Sequence, residues 1–499
     1  MDYLNIMLYL AVAVVGLALH EVLHFLLPSL GKKDKKLPPG PPGVPVFGNM
    51  FGIGSMPHVK FTELSKTYGP LMSIQLGRQT TVIISSPGML QAALKNDILV
   101  SNRYIIEAVT PQNHHEKSVG FLPVGPKWRT LRKICNSQIF SNSKLENTQY
   151  IRRKVVRDLA SFVKKSSENG DVVDINLAAF TSSLNLLSNT IFSVDLGAST
   201  EIAVEFRDTS HTLIGELGKP NLADYFPFLK KFDPHGIKRR SDVHIRKLLD
   251  LFNNLIQQRL DGKRPPGTKK GDDVLDALLD IVHESHDFDI SDIPHLFMDL
   301  FAGGTDTTST LVEWVMSELI RNPEKMKKAQ AELREVIGKG NPVEESDISR
   351  LPYLQAVVKE SFRIHPPVPL SVPRKTVSDV NLFGFTVPKD TQVLVNNWGM
   401  GRDPNLWENP LSFEPERFLN SEIDFRGRDF ELMPFGSGRR ICPGLPLANR
   451  MVHLLLAAFI HGFEWKLENG ISPDDLNMDE KFGITLERAQ HLRAIPVPI

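Results

Sequence analysis

Residues 435–444 read Phe435-Gly436-Ser437-Gly438-Arg439-Arg440-Ile441-Cys442-Pro443-Gly444, and the apolar run LPLANRMVHLLLAAF follows at once. Gly436 and Gly438 permit a tight loop with φ values that other residues avoid. The run behind them has helical spacing, so Cys442 falls just before a helix N-terminus. The helix dipole and the free N–H groups there favour a thiolate. Backbone donors around a thiolate also tune a bound metal. A lone cysteine is more often a small buried hydrophobe, and that reading suits Cys135, which lies inside a helical stretch.

Three further segments share this polar and glycine-rich character. Leu351-Pro352-Tyr353-Leu354 opens a helix that closes at His365-Pro366-Pro367, and within it Glu360 and Arg363 stand three residues apart on one face. Pro415-Glu416-Arg417-Phe418 follows downstream. In KWRTLRK, Trp128 and Arg132 share a helical face, with Arg129 and Lys133 turned elsewhere. The longest helical run, 292–321, carries Ala302-Gly303-Gly304-Thr305-Asp306-Thr307-Thr308. Glycine costs about 1 kcal/mol in a helix interior, so two in a row need a reason, such as room for a ligand to approach the backbone. Thr307 can bond its hydroxyl back to the carbonyl of Gly303 and bend the helix.

At chain scale, 499 residues with 41% hydrophobic content allow one large core. Lys+Arg and Asp+Glu are both 58, which leaves no electrostatic footprint for nucleic acid. Two cysteines cannot form a disulfide framework, which suits a reducing compartment. Residues 3–19 are almost wholly apolar, and Lys32, Lys33, Lys35 and Lys36 follow them. The length suffices for one membrane span, and the positive-inside rule puts the following chain in the cytosol. Leu37-Pro38-Pro39-Gly40-Pro41-Pro42-Gly43 reads as a stiff connector. The expected organisation is an anchor over 1–30, a basic and proline-rich hinge over 31–45, and a catalytic domain over 46–499. Residues 71–76 and 80–85 predict a hairpin around Gly77-Arg78-Gln79, with further strands near 383–387 and 392–396. Helices are predicted over 149–166, 242–259, 292–321, 323–337, 352–364 and 445–461. Residues 261–272 predict a surface loop. The class is mainly α with small β-sheets and one N-terminal transmembrane helix.

The cysteine loop resembles the F-x-x-G-x-R-x-C-x-G haem signature of the cytochrome P-450 superfamily at Phe435, Gly438, Arg440, Cys442 and Gly444. Layout and further stretches resemble the plant microsomal members, in the subgroup of geraniol hydroxylases and abietane-diterpene oxidases. The resemblance implies the P-450 fold, haem b as cofactor and Cys442 as ligand to its iron. It implies Arg440, Trp128, Arg132 and Arg374 as contacts of the haem propionates, and Glu360, Arg363 and Arg417 as a buried structural triad. Asp306 and Thr307 become the acid and alcohol of a proton relay. Electrons would come from NADPH through a flavoprotein reductase, at an endoplasmic reticulum membrane with the catalytic domain in the cytosol. Arg129 and Lys133 are expected on a basic face for that donor. The implied activity is hydroxylation of a small apolar plant metabolite, most readily a terpenoid. Oxidation of a tyrosine-like phenol or alkaloid precursor is the alternative within the same subgroup. A haem-binding partner protein or an isomerase is disfavoured by the intact Asp306–Thr307 pair. Pocket-lining positions are expected in Arg103–Leu122, around His211–Glu216, at Phe297–Gly304, at Val368–Val372 and at Gly483–Ile484. His114, His115 and Glu116 are expected to be solvated surface rather than substrate contacts.

Overall fold

The structure, a computed structural model, describes residues 36–95, 102–197, 200–271 and 273–499, together with Met7, Val12 and Gly16. The expected anchor otherwise lies outside the described residues. Among the described residues no helix is long and apolar enough to cross a membrane.

Eight helices position the candidate site: α1 (Pro126–Ile134), α2 (Gln149–Asn169), α3 (Ile175–Phe192), α4 (Thr200–Gly218), α5 (Ile237–Leu260), α6 (Ile293–Arg321), α7 (Pro352–Ile364) and α8 (Leu445–Ile460). The helices expected from apolar spacing form, with ends moved by a few residues. A hairpin joins Leu71–Leu76 to Gln79–Ile84 through Gly77-Arg78, so its second strand begins one residue earlier than expected. The strand expected over 383–387 is instead the turn and second arm of a hairpin, Val380–Leu382 with Phe385–Val387. Phe383 and Gly384 both take positive φ, the conformation a two-residue hairpin loop demands.

The main sheet has five strands, in the order Leu71–Leu76, Gln79–Ile84, Gln392–Val395, Arg374–Lys375, Asn102–Arg103. Its register pairs Arg103 with Arg374 across an antiparallel ladder. The proline-rich stretch is docked along this sheet rather than free. The carbonyl of Pro39 accepts from Ser73 N at 2.8 Å, and that of Pro38 accepts from Ser73 Oγ at 2.6 Å. At Gly40 an added Cβ would lie 1.8 Å from the Ser73 carbonyl oxygen, so only glycine permits this approach.

Helix α6 runs through the centre, and its two halves belong to different apolar clusters. Ile293–Phe301 packs with α3, α5 and the 122–140 segment, whereas Leu311–Ile320 packs with α2, α7 and α8. Residues 302–310 contribute to neither cluster, so the glycine-rich turn sits at the seam between two cores.

Behind α8, the carboxylate of Glu360 is fully buried on α7 and is satisfied on all sides. It accepts from Arg363 Nη2 at 2.7 Å and Nε at 2.8 Å, from Arg417 Nε at 3.0 Å, and from the backbone N–H of Glu414 at 2.7 Å. Arg363 extends the network to the carbonyls of Gly401, Pro410 and Ser412. Replacing Glu360 by alanine strands two guanidiniums, one of them fully buried, and is expected to destabilise the fold by about 3–5 kcal/mol. Denaturant unfolding of the full chain checks this, and a loss below about 1 kcal/mol would mean that the arginines find other partners.

Candidate active site

The loop 435–444 closes on itself. Cys442 N–H donates to the carbonyl of Phe435 at 2.9 Å, and Gly436 and Gly438 take φ of 69° and 66°. Phe435 packs edge-on to Phe362 of α7, with ring centroids 5.2 Å apart, which ties the loop to the helix that carries Glu360. The thiol of Cys442 sits at the start of α8. Enclosure pushes its pKa up, while the N–H groups of Gly444 and Leu445 and the charge of Arg132 pull the other way. The residue nevertheless carries open surface area. An enclosed thiol with open area faces an internal recess rather than bulk water.

Open area appears in the same way on α6. Gly303 is exposed and Ala302, Gly304 and Thr307 are half-buried, although Thr305, Asp306 and most of the residues from 308 to 320 are buried. A Cβ added at Gly303 would meet nothing within 4 Å. The Thr307 hydroxyl donates to the Gly303 carbonyl at 2.6 Å, as the spacing predicts. The Asp306 carboxylate turns away from that face, and its Oδ2 accepts from Thr485 Oγ1 at 2.6 Å.

Four guanidiniums converge nearby. Arg103 and Arg374 are cross-strand partners, and Arg440 lies over the Trp128 ring, 4.7 Å from its centroid. Arg132 Nη2 donates to the carbonyl of Ile441 at 2.5 Å, and Arg440 Nη2 donates to the carbonyl of Leu122. Burial, then Arg374, Arg440 and Arg132, hold the Arg103 pKa well below its ordinary value. Burial brings that of Arg374 to about 10, and burial with repulsion from Arg374 and Arg132 does the same for Arg440. Like charges placed directly opposite in a sheet are destabilising, so this crowd is complementary to a dianionic ligand. A thiol at a helix N-terminus, open area beside it and clustered cations together fit a haem, which Cys442 and the four arginines would hold. Trp128 stays beside this cluster, and its Nε1–H donates to the carbonyl of Val119 at 3.2 Å.

Several positions depart from the expected lining. Phe297 is buried against Phe192 and Phe252, and Leu370 joins the core under the main sheet, so neither is open to the recess. His114 is buried rather than solvated. It meets His295 at 3.0 Å and Asp299 at 3.2 Å, because α6 presents a polar stripe to this loop. Arg129 and Lys133 are exposed on α1, as expected. Thr485 and Glu487 carry no sequence signal, since they lie in a short segment without a motif, and Arg103 is expected only at the edge of the lining range 103–122 rather than among the propionate contacts.

A family model of cytochrome P450 matches residues 38–493. A geraniol 8-hydroxylase of Swertia mussotii is 50% identical over 486 residues, covering 97% of each chain. A drimenol monooxygenase of Persicaria hydropiper is 50% identical over 502 residues, covering 100% of this chain and 98% of its own. A ferruginol synthase of Salvia fruticosa is 47% identical over 471 residues, covering 93% and 95%.

The open space at Gly303 separates stability from ligand binding. Gly303→Ala is expected to stabilise the helix by up to about 1 kcal/mol, while narrowing the recess and weakening substrate binding. Thermal unfolding and substrate-induced difference spectra check the two effects, and a variant that binds substrate unchanged would show that the ligand does not approach this turn.

Proposed function

The chain belongs to the cytochrome P450 family, and on that premise we propose that it hydroxylates a small apolar terpenoid, with Cys442 as the ligand to haem iron. It is a monooxygenase that uses haem and receives electrons from NADPH through a flavoprotein reductase. The substrate class rests on relatives named for geraniol, drimenol and ferruginol. It agrees with the half-buried apolar positions Ala302, Val368, Val372 and Ile484. The observation that carries the ligand assignment is the thiol of Cys442 at the start of α8, met by the N–H groups of Gly444 and Leu445.

Haem, when bound, supplies the activation of dioxygen, for which a thiolate ligand is suited. The chain supplies the rest. Arg103, Arg132, Arg374 and Arg440 hold the propionates and so orient the ring. The bare backbone at Gly303 leaves room for a substrate to approach α6. Asp306 and Thr307 hold a proton and move it toward the recess by general acid chemistry. Arg129 and Lys133 form part of the face that meets the reductase. Residues 1–30 anchor the protein in the endoplasmic reticulum membrane, and 31–45 lead into the cytosolic catalytic domain. The support is the apolar run at 3–19 and the lysines that follow it.

Two experiments test this. Cys442→Ala is expected to abolish the red-shifted Soret band of the ferrous carbonyl form, and a variant that keeps the band would exclude Cys442 as ligand. Membranes holding the protein and a reductase are expected to oxidise a monoterpene, sesquiterpene or diterpene alcohol or hydrocarbon in a panel that also holds tyrosine-like phenols. Turnover of the phenols alone would replace the terpenoid reading.

A further inference from the structure

Behind the Asp306–Thr307 turn lies a cluster of titratable groups drawn from three elements. Helix α4 contributes His211, α6 contributes Asp306, and the C-terminal hairpin of Glu480–Lys481 with Glu487–Arg488 contributes Lys481, Thr485 and Glu487. His211 Nδ1 lies 3.3 Å from Glu487 Oε1 and 3.6 Å from Asp306 Oδ1. Lys481 Nζ lies 3.3 Å from Glu487 Oε2 and 3.5 Å from His211 Nε2. Thr485 Oγ1 donates to the other oxygen of Asp306. The register that pairs Lys481 with Glu487 brings their side chains to the same face of the hairpin. Close packing holds the arrangement, since a Cβ added at Gly218 on α4 would lie 2.6 Å from Gly483 Cα.

Asp306 itself is buried, with 6% of its side chain accessible, whereas 31% of the His211 side chain is accessible. The imidazole is thus the member of the cluster that touches both solvent and the buried acid. We propose that His211 is the residue through which protons from solvent reach Asp306. The proposal rests on the reading of Asp306 and Thr307 as a relay, and adds its entrance.

The transfer is simple to balance. The imidazolium of His211 gives its Nδ1 proton to Asp306: the Nδ1–H bond breaks, an O–H bond forms on Oδ1, and no electrons change hands. The neutral imidazole left behind keeps its other proton on Nε2, and a flip of the half-exposed ring turns the bare Nδ1 to solvent, where a new N–H bond forms and the cycle resets. Every charged neighbour suits this cycle. Asp306 and then Glu487 hold the His211 pKa above that of an ordinary histidine, so the donor form is populated near neutrality. Lys481 opposes the charge on the ring without reversing the direction. Burial and then the neighbouring charge of Asp306 raise the pKa of Glu487. The three ligand-bearing groups His211, Asp306 and Glu487 could also hold a metal ion. Lys481 already supplies the positive charge such an ion would bring, which favours the proton reading.

The test uses the full chain in membranes with its reductase. His211→Gln is expected to lower product formed per NADPH several-fold, with more released peroxide, at unchanged ferrous carbonyl content. In the wild type, product per NADPH falls as pH rises through the His211 pKa, which lies above the usual 6.5. The variant loses that alkaline limb, an effect that a merely structural role would not produce. Asp306→Asn is expected to uncouple as well. If it uncouples while His211→Gln remains coupled with an unchanged pH profile, the entrance is wrong and the relay stands. If neither uncouples, both readings fail. A second readout is independent of turnover. Histidine-labelled protein in the diamagnetic ferrous carbonyl state should show His211 titrating above 6.5, and moving down in Asp306→Asn. A midpoint at or below the ordinary value in the wild type would overturn the proposal even if the variants fail to fold.

Discussion

The carboxylate of Glu360 is the point on which the cysteine side of this molecule depends. It is fully removed from water and takes N–H donors from Arg363, Arg417 and the backbone of Glu414. An isolated carboxylate in such a place would cost far more than the fold can supply. Once it is paired, the geometry is over-determined, because its donors come both from its own helix and from the 414–417 segment. Helix α7 is thereby joined to the 401–417 region, and Phe362 on the same helix carries the ring of Phe435. That aromatic contact ties the cysteine loop to the buried charge network.

The opposite logic governs the arginines. Their convergence beside the recess is unfavourable in itself, since Arg103 and Arg374 are paired across a sheet and Arg440 and Arg132 approach them. A protein that gathers buried like charges and leaves open space beside them is shaped for a dianion. In the proposed holoenzyme the haem propionates relieve this repulsion, and binding the cofactor adds to the stability of the fold. The two apolar clusters grip the ends of α6 and leave out its polar middle stretch, whose Ala302, Gly303 and Thr307 carry the open area. A little over one turn of α6, from Gly303 to Thr307, thus divides two tasks. Gly303 and Thr307 have open surface, while Asp306 is turned back into the protein toward α4 and the C-terminal hairpin.

The fold class was legible in the sequence because it rests on local rules. Helical spacing placed α2, α5, α6, α7 and α8 to within a few residues. The loop conformation of Gly436 and Gly438 was legible too, since positive φ is a property of the residue type. So was the hydroxyl of Thr307 bonding Gly303, an i to i−4 contact within one helix. Where turn chemistry was misread, as at Phe383-Gly384, the error was local and small.

What the sequence alone could not supply were contacts between segments far apart in the chain. Arg103 meets Arg374 only because a two-residue strand pairs across 271 positions. His114 was read as solvated because it stands in a polar loop, but α6 carries His295 and Asp299 to it. Phe297 and Leu370 were read as lining and turned inward, because the core claims whichever face of an element it can bury. Asp306 shows the division most clearly. Its place beside Thr307 follows from the sequence. The direction of its carboxylate is decided by Thr485 and His211, which approach from other elements. A motif states which chemical groups stand in order along a chain, because covalent spacing and helix geometry are local. Only close packing in three dimensions decides which of them face the open space and which face one another.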